Sequence, residues 1–277
     1  MIRLVRTEVL KYTTTRMVWG MALAMFLLGA IFAAITAAFL IYGSFEIGGQ
    51  DVKATTIIEP LTLARMVYTG GIQIGYLLAL VIGVLNIGGE FRHKTVSGTF
   101  LATPVRSKVI GAKVLALVVI ATGNAIVHLL GCLIGGGVLL FINDFALFPE
   151  PLQLLRTFVM VALVLALWML MGLGVGVLIP NQVAALFVAV AAAWIVEPLL
   201  GFLLTLTDWG SEVGRYFPSQ ATATTLGVFD NVDPGLTQAL GGAVDQPAWY
   251  VAALILLAYA GVMALIGLLL TRSRDIA

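Results

Sequence analysis

The sequence predicts an all-α integral membrane protein with six transmembrane helices. An amphipathic interfacial helix precedes them, a helical cytoplasmic segment joins spans two and three, and short outer helices precede span six. Three observations predict this class. Of the 277 residues, 61% are hydrophobic and only 10% charged, and the mean hydropathy is +1.07. A soluble domain carries about 25% charged residues, so this chain has too little polar surface to face water. Its apolar runs are continuous, without the alternation a membrane β-barrel needs. Its lysines and arginines are sorted by loop, which sets a topology.

A bilayer core of about 30 Å takes roughly 20 apolar residues as a helix. Six runs reach that length: 18–42, 71–89, 114–142, 154–179, 183–206 and 249–271. The first is longer than the apolar stretch of a cleavable signal peptide, so it reads as a span. Pro180-Asn181-Gln182 separates the fourth and fifth and suits a tight hairpin. Residues 1–277 read as a single transmembrane domain, with no internal repeat or low-complexity tract.

Eleven of the 15 basic residues fall on one side: Arg3, Arg6, Lys11 and Arg16 before span one, Arg92, Lys94, Arg106, Lys108 and Lys113 between spans two and three, and Arg272 and Arg274 in the tail. Most acids fall on the other side. Both termini are therefore expected in the cytoplasm, in a multi-pass protein of the cell (cytoplasmic or inner) membrane. A net charge of +1 gives no footprint for nucleic acid, and the single Cys132 excludes an intrachain disulfide.

Residues 1–16 project as an amphipathic helix. Ile2, Val5, Val9 and Tyr12 form one stripe, with Arg3, Arg6, Glu8 and Lys11 around the rest, which suits a helix lying along the lipid interface. The plainer alternative is a solvated basic leader that only sets topology. Two outer segments carry helix signals. In 43–70, Glu59-Pro60 opens LTLARMVYTGG, a short helix leading into span two. In 207–248, Asp233-Pro234 offers a cap and first-turn proline with Gly241-Gly242 as a stop, and Pro218-Ser219 opens QATATTLG, closed by Gly227. These small helices are expected at the outer rim.

Residues 90–104, EFRHKTVSGTFLATP, form a polar island longer than a connector requires. Thr103-Pro104 is a helix start, so the third helix is expected to begin before the bilayer and to climb past Arg106, Lys108 and Lys113. Arg106 in a first turn opposes the helix dipole, which calls for lipid phosphate or a protein partner. Glu90 and Lys94, at i,i+4, form the available local ion pair. Val96, Phe100 and Leu101 place apolar side chains among the charges, as a docking segment would.

The pattern E-F-R-x-x-T at 90–95, then L-A-T-P at 101–104, Arg106 and Lys113, resembles the signature of ABC-2-type transporter permeases. The leader RTEVLKYTTTR at 6–16 resembles that family's amphipathic connecting helix, and RYFPSQATATTL at 215–226 the stretch before its last span. His93-Lys94 stands where the family varies, and Ser97-Gly98 weakens the island's helix. The resemblance implies that 90–104 is a coupling helix seated on a separate ATPase subunit. Glu90, Arg92, Thr95, Phe100, Leu101, Pro104 and Arg106 would form that interface, with Arg6, Glu8 and Lys11 on the interfacial helix. It further implies a dimer with a second permease copy or a related chain, contact with membrane lipid, and a substrate route lined by spans two and five. No lysine has Gly before it and Ser or Thr after it, so the chain lacks a phosphate loop. No cofactor is expected on this chain; ATP and Mg would sit on the two partner ATPase copies.

Within the spans, Gln73, Tyr76 and Asn86 on the second and Phe187, Trp194 and Glu197 on the fifth are candidates for the route. Polar and aromatic residues in spans are also common helix–helix contacts, and that plainer reading is the commoner for each taken singly. Phe187, Trp194 and Pro198 fall near one face, and Glu197, near the outer end of its span, is expected either to be hydrated or to pair with Arg215. Asn124 and His128, at i,i+4, read as an interhelical hydrogen-bonding pair. Gly131, Gly135, Gly172, Gly174 and Gly176 read as sites of close helix packing. No metal site, nucleophilic triad or other enzyme signature is present, so the chain reads as a transport subunit and not an enzyme. The competing functions are an ion- or proton-coupled secondary transporter, resting on Glu197 or His128, and an anchor without transport.

Overall fold

The computed structural model describes residues 1–47, 50–93, 105–204, 206–207, 209–243 and 245–273. Among the described residues, six helical stretches are long and apolar enough to cross a membrane. The protein is a helical multi-pass membrane protein.

Helix α1 (Ile2–Thr13) is followed by α2 (Arg16–Tyr42), the first span. A two-stranded antiparallel hairpin comes next, β1 (Ser44–Ile47) with β2 (Gln50–Lys53), in the register Ser44↔Lys53 to Ile47↔Gln50. This hairpin departs from the all-α expectation. Its sequence signal is Gly48-Gly49 between two short runs containing Phe45, Ile47 and Val52, the composition of a two-residue hairpin connection. A single turn α3 (Ala54–Ile57) leads to α4 (Pro60–Thr69), started by Pro60 at its first position, and α5 (Ile72–Arg92). The short helix expected after Glu59-Pro60 is present, but every residue from Leu61 to Thr69 is buried. It is part of the core, not a rim helix.

Helix α6 (Arg106–Ile142) has 37 residues, about 55 Å at 1.5 Å per residue, and so exceeds a bilayer core. The expected start at Thr103-Pro104 lies outside the described residues. Helix α7 (Pro151–Leu178) turns back through Pro180 into α8 (Gln182–Ala191), where the Asn181 side chain accepts the Val183 and Ala184 N–H groups. The fifth span then widens into a π turn, Ala192–Val196, and resumes as α9 (Glu197–Leu204). Pro198 accounts for the widening: it has no N–H to donate and its ring crowds the carbonyl four residues back, at Trp194. Three short helices follow, α10 (Gly210–Gly214), α11 (Pro218–Leu226) and α12 (Pro234–Ala239), before the last span, α13 (Trp249–Ser273). The capping signals act as expected: Asp233 accepts the Gly235 and Leu236 N–H groups, and Gly227 ends α11 at φ 68°.

The core forms where α2 packs on α6 and α5 on α7. Close approach is the rule at both seams. A side chain at Gly131 or Gly135 would meet the backbone oxygens of Phe26 or Ala30 at 2.2 and 2.0 Å, and one at Gly83 or Gly172 those of Met169 or Leu80 at 2.0 and 2.1 Å. Helices in lipid gain from such contact because dispersion, not water expulsion, drives them together. The bundle has a basal end, which carries α1, and an apical end opposite it.

At the apical end, α11 is not a rim helix either. Ala221, Thr222, Thr224, Thr225 and Leu226 are buried, and the Trp168 indole N–H donates to Thr222 Oγ1 at 3.0 Å. Arg65, 4% exposed, ties this end together by donating to Asp230 Oδ2 at 3.1 Å and to Gln153 Oε1 at 2.9 Å.

Candidate functional site

The basal end holds a four-charge joint. Helix α1 supplies Glu8 and Lys11, α5 supplies Glu90 from its last turn, and α6 supplies Lys113 from its second turn. Lys113 Nζ lies 2.6 Å from Glu8 Oε2 and 2.8 Å from Glu90 Oε1, and Lys11 Nζ lies 2.6 Å from Glu8 Oε1 and 2.8 Å from Glu90 Oε1. Each base therefore bridges both acids. Glu8, Glu90 and Lys113 are 5%, 8% and 3% exposed, while the Lys11 side chain keeps 44% of its surface. A buried charge is tolerated only when paired and hydrogen-bonded, and here every charge meets two partners.

The local folding explains the convergence. Glu8 and Tyr12 are one turn apart on the face of α1 that packs on α6. Below the charges, Asn124 Nδ2 donates to the Tyr12 hydroxyl at 3.2 Å. This corrects the expected stripe: Ile2 is exposed, and the buried line runs through Glu8 and Tyr12. Burial alone pushes the Glu8 carboxyl up, but the Lys113 charge and the hydrogen bonds from Lys11 and Lys113 outweigh it and hold the group below its ordinary value. Burial likewise pulls Lys11 down, and the hydrogen bonds and charges of Glu8 and Glu90 raise it net above its ordinary value.

Of the residues expected to act at the basal end, the structure brings Glu8, Lys11 and Glu90 together. Glu90 pairs with Lys11 and Lys113; the expected local partner Lys94 lies outside the described residues. Arg6 and Arg92 are exposed on α1 and at the end of α5. Thr95, Phe100, Leu101 and Pro104 lie outside the described residues, as does the side chain of Arg106. From sequence, Lys113 stands out as a topology charge and as part of the ABC-2 resemblance, not as a partner of Glu8 and Glu90. Its signal is its position immediately before the apolar run, where an unpaired lysine is costly.

The expected route residues do not all share one surface within the chain, although Gln73 and Tyr76 line one apical cavity. Tyr76 is buried and stacks on Trp168 of α7, with ring centroids 4.1 Å apart and planes 12° apart. Gln73 is exposed and borders an apical cavity of about 320 Å³ between α2, α5 and α11, and Asn86 is half-buried in the basal part of α5. Phe187 and Trp194 are 74% and 58% exposed on the fifth span. Glu197 does not pair with Arg215. Its Oε1 accepts the Ser219 N–H at 2.6 Å at the start of α11, while Arg215 donates to the Asp245 carbonyl and lies over the Tyr216 ring. Asn124 and His128 serve separate helices, since the His128 ring meets the Met25 carbonyl of α2 at 3.2 Å. Among the described residues no cluster of three or more histidine, cysteine or acidic side chains could hold a metal.

No protein-family model matches the chain, and no curated protein matches it either.

Proposed function

We propose that the chain is the membrane-spanning subunit of an ATP-driven ABC exporter of the ABC-2 type. The observation that carries this reading is the basal joint. It ties α1 to the two helices that flank the 94–104 segment, at Glu90 on one side and Lys113 on the other. A force applied to that segment from the cytoplasm passes into α5 and α6 together, because both flanks are locked into one charge network. The motif around 90–104 supports a separate ATPase as the source of that force. ATP and Mg would be held by two copies of that partner, with a second permease, identical or related, completing the route.

In this reading both termini and the joint face the cytoplasm, and Arg92, Thr95, Phe100, Leu101, Pro104 and Arg106 lie toward the ATPase. Phe100 and Leu101 supply the apolar contact. The secondary-transport alternative has less support: among the described residues neither Glu197 nor His128 forms an ion pair, and the His128 ring meets the Met25 carbonyl. The test is the double substitution Phe100→Asp, Leu101→Asp in a tagged chain expressed in its native host. Loss of ATPase co-purification is expected, and undiminished co-purification contradicts the reading.

A further inference from the structure

The fifth span borders a second cavity, of about 460 Å³ and open to the surface, whose other walls are α5, α7, α13 and the start of α11. Small-molecule sites commonly measure about 300–1,000 Å³. Its walls are apolar, with the aromatic rings of Trp168, Phe217 and Tyr259 among them, and Glu197 is the only charged residue among the described residues lining it. The π turn builds this space. It brings Ala192, Ala193 and Val196 to the lining, and it ends at Glu197. A π turn inserts roughly one extra residue into the helix and shifts the direction of everything after it, which aims Glu197 at α11 and at the cavity. Alanines at 189, 192 and 193 leave room that larger side chains would fill.

We propose that this cavity binds a lipophilic monocation, an aromatic or alkyl body carrying one positive charge. The body lies against the apolar wall and rings, and the charge lies beside Glu197. One acid in an otherwise uncharged, ring-lined cavity is complementary to that class and to no lipophilic anion, because in a weakly polar setting a lone carboxylate attracts a cation strongly and repels an anion. The Ser219 N–H holds the carboxylate in place at 2.6 Å. The site lies within one chain and its occupancy needs no ATPase, so its test stands apart from that of the proposed function.

The experiment is equilibrium binding of tetraphenylphosphonium to the full chain in phosphatidylcholine nanodiscs, with empty nanodiscs subtracted and tetraphenylborate as the anionic counterpart of equal shape. Saturable binding of the cation is expected, with none of the anion. Glu197→Gln keeps an acceptor for Ser219 and should weaken binding about tenfold or more, the loss of one charge-assisted contact. Ala192→Phe, at an exposed position of the lining, should weaken it comparably by filling the cavity while leaving the acid in place. This second variant decides the matter if Glu197→Gln does not fold. Absence of saturable cation binding, equal binding of tetraphenylborate, or unchanged affinity in the folded variants overturns the proposal and leaves the cavity to a lipid chain.

Discussion

Replacing Lys113 by methionine isolates the energetic centre of the basal joint. Lys113 is the most buried of the four charges, and its ammonium contacts Glu8 at 2.6 Å and Glu90 at 2.8 Å. Without it, two carboxylates remain in a site with little access to water, and the other lysine of the joint, Lys11, is half-exposed. Removing one partner from a buried ion pair costs about 3–5 kcal/mol, and the simplest escape is for α1 to undock and hydrate Glu8. Hydrogen exchange of the α1 amides in nanodiscs reads that opening directly. Exchange about a hundredfold or more faster in Lys113→Met is expected, from the lower end of that range. Lys11→Met should accelerate it only severalfold, because water already screens that lysine and such contacts are worth about 1 kcal/mol or less. Adding Glu8→Gln to Lys113→Met should recover part of the loss, since one buried charge then disappears with its partner. Equal exchange in Lys113→Met and Lys11→Met would refute the assignment of the joint as a buried, mutually dependent network.

The same joint has a pH window. Glu8 is held below its ordinary value of 4.5, so its contribution is present above that value and is lost as pH falls through the lower, folded one; Lys11 is raised above 10.5, so its contribution is present below that value and is lost as pH rises through the higher one. Protection of α1, corrected for intrinsic exchange, should be flat between these limits and fall outside them. Gly83→Val should prevent a folded, monodisperse protein in detergent, because its branched side chain would start 2.0 Å from the Met169 carbonyl oxygen and such overpacking of backbone on backbone exceeds the usual 1–3 kcal/mol or so. Arg65→Met should lower thermal stability by about 1–3 kcal/mol, less than a fully buried pair, since Asp230 remains half-exposed to water; an unchanged melting temperature would show that the apical network contributes little.

The span pattern was legible because a bilayer imposes length and apolarity on any helix that crosses it. The short helices were legible where capping chemistry is local: Asp233-Pro234 and Pro218 to Gly227 act through neighbours in sequence. Partner choice was not legible. Glu90 pairs with residues 79 and 23 positions away in sequence, and Glu197 meets Ser219 rather than Arg215. Such choices depend on where α1 and α11 are packed, which no periodicity encodes. Two misses did leave a trace: Gly48-Gly49 between short β-prone runs, and Pro198 within an apolar span, which demands a local break in the α-helical ladder.

The most direct test of the central claim is purification of the tagged chain from its native host in mild detergent, with quantitative mass spectrometry of its companions. A stoichiometric partner carrying a phosphate-loop ATPase domain is the predicted result, and it should be lost from Phe100→Asp, Leu101→Asp while α1 remains protected from exchange. A folded chain that reproducibly arrives without any such ATPase would contradict the account.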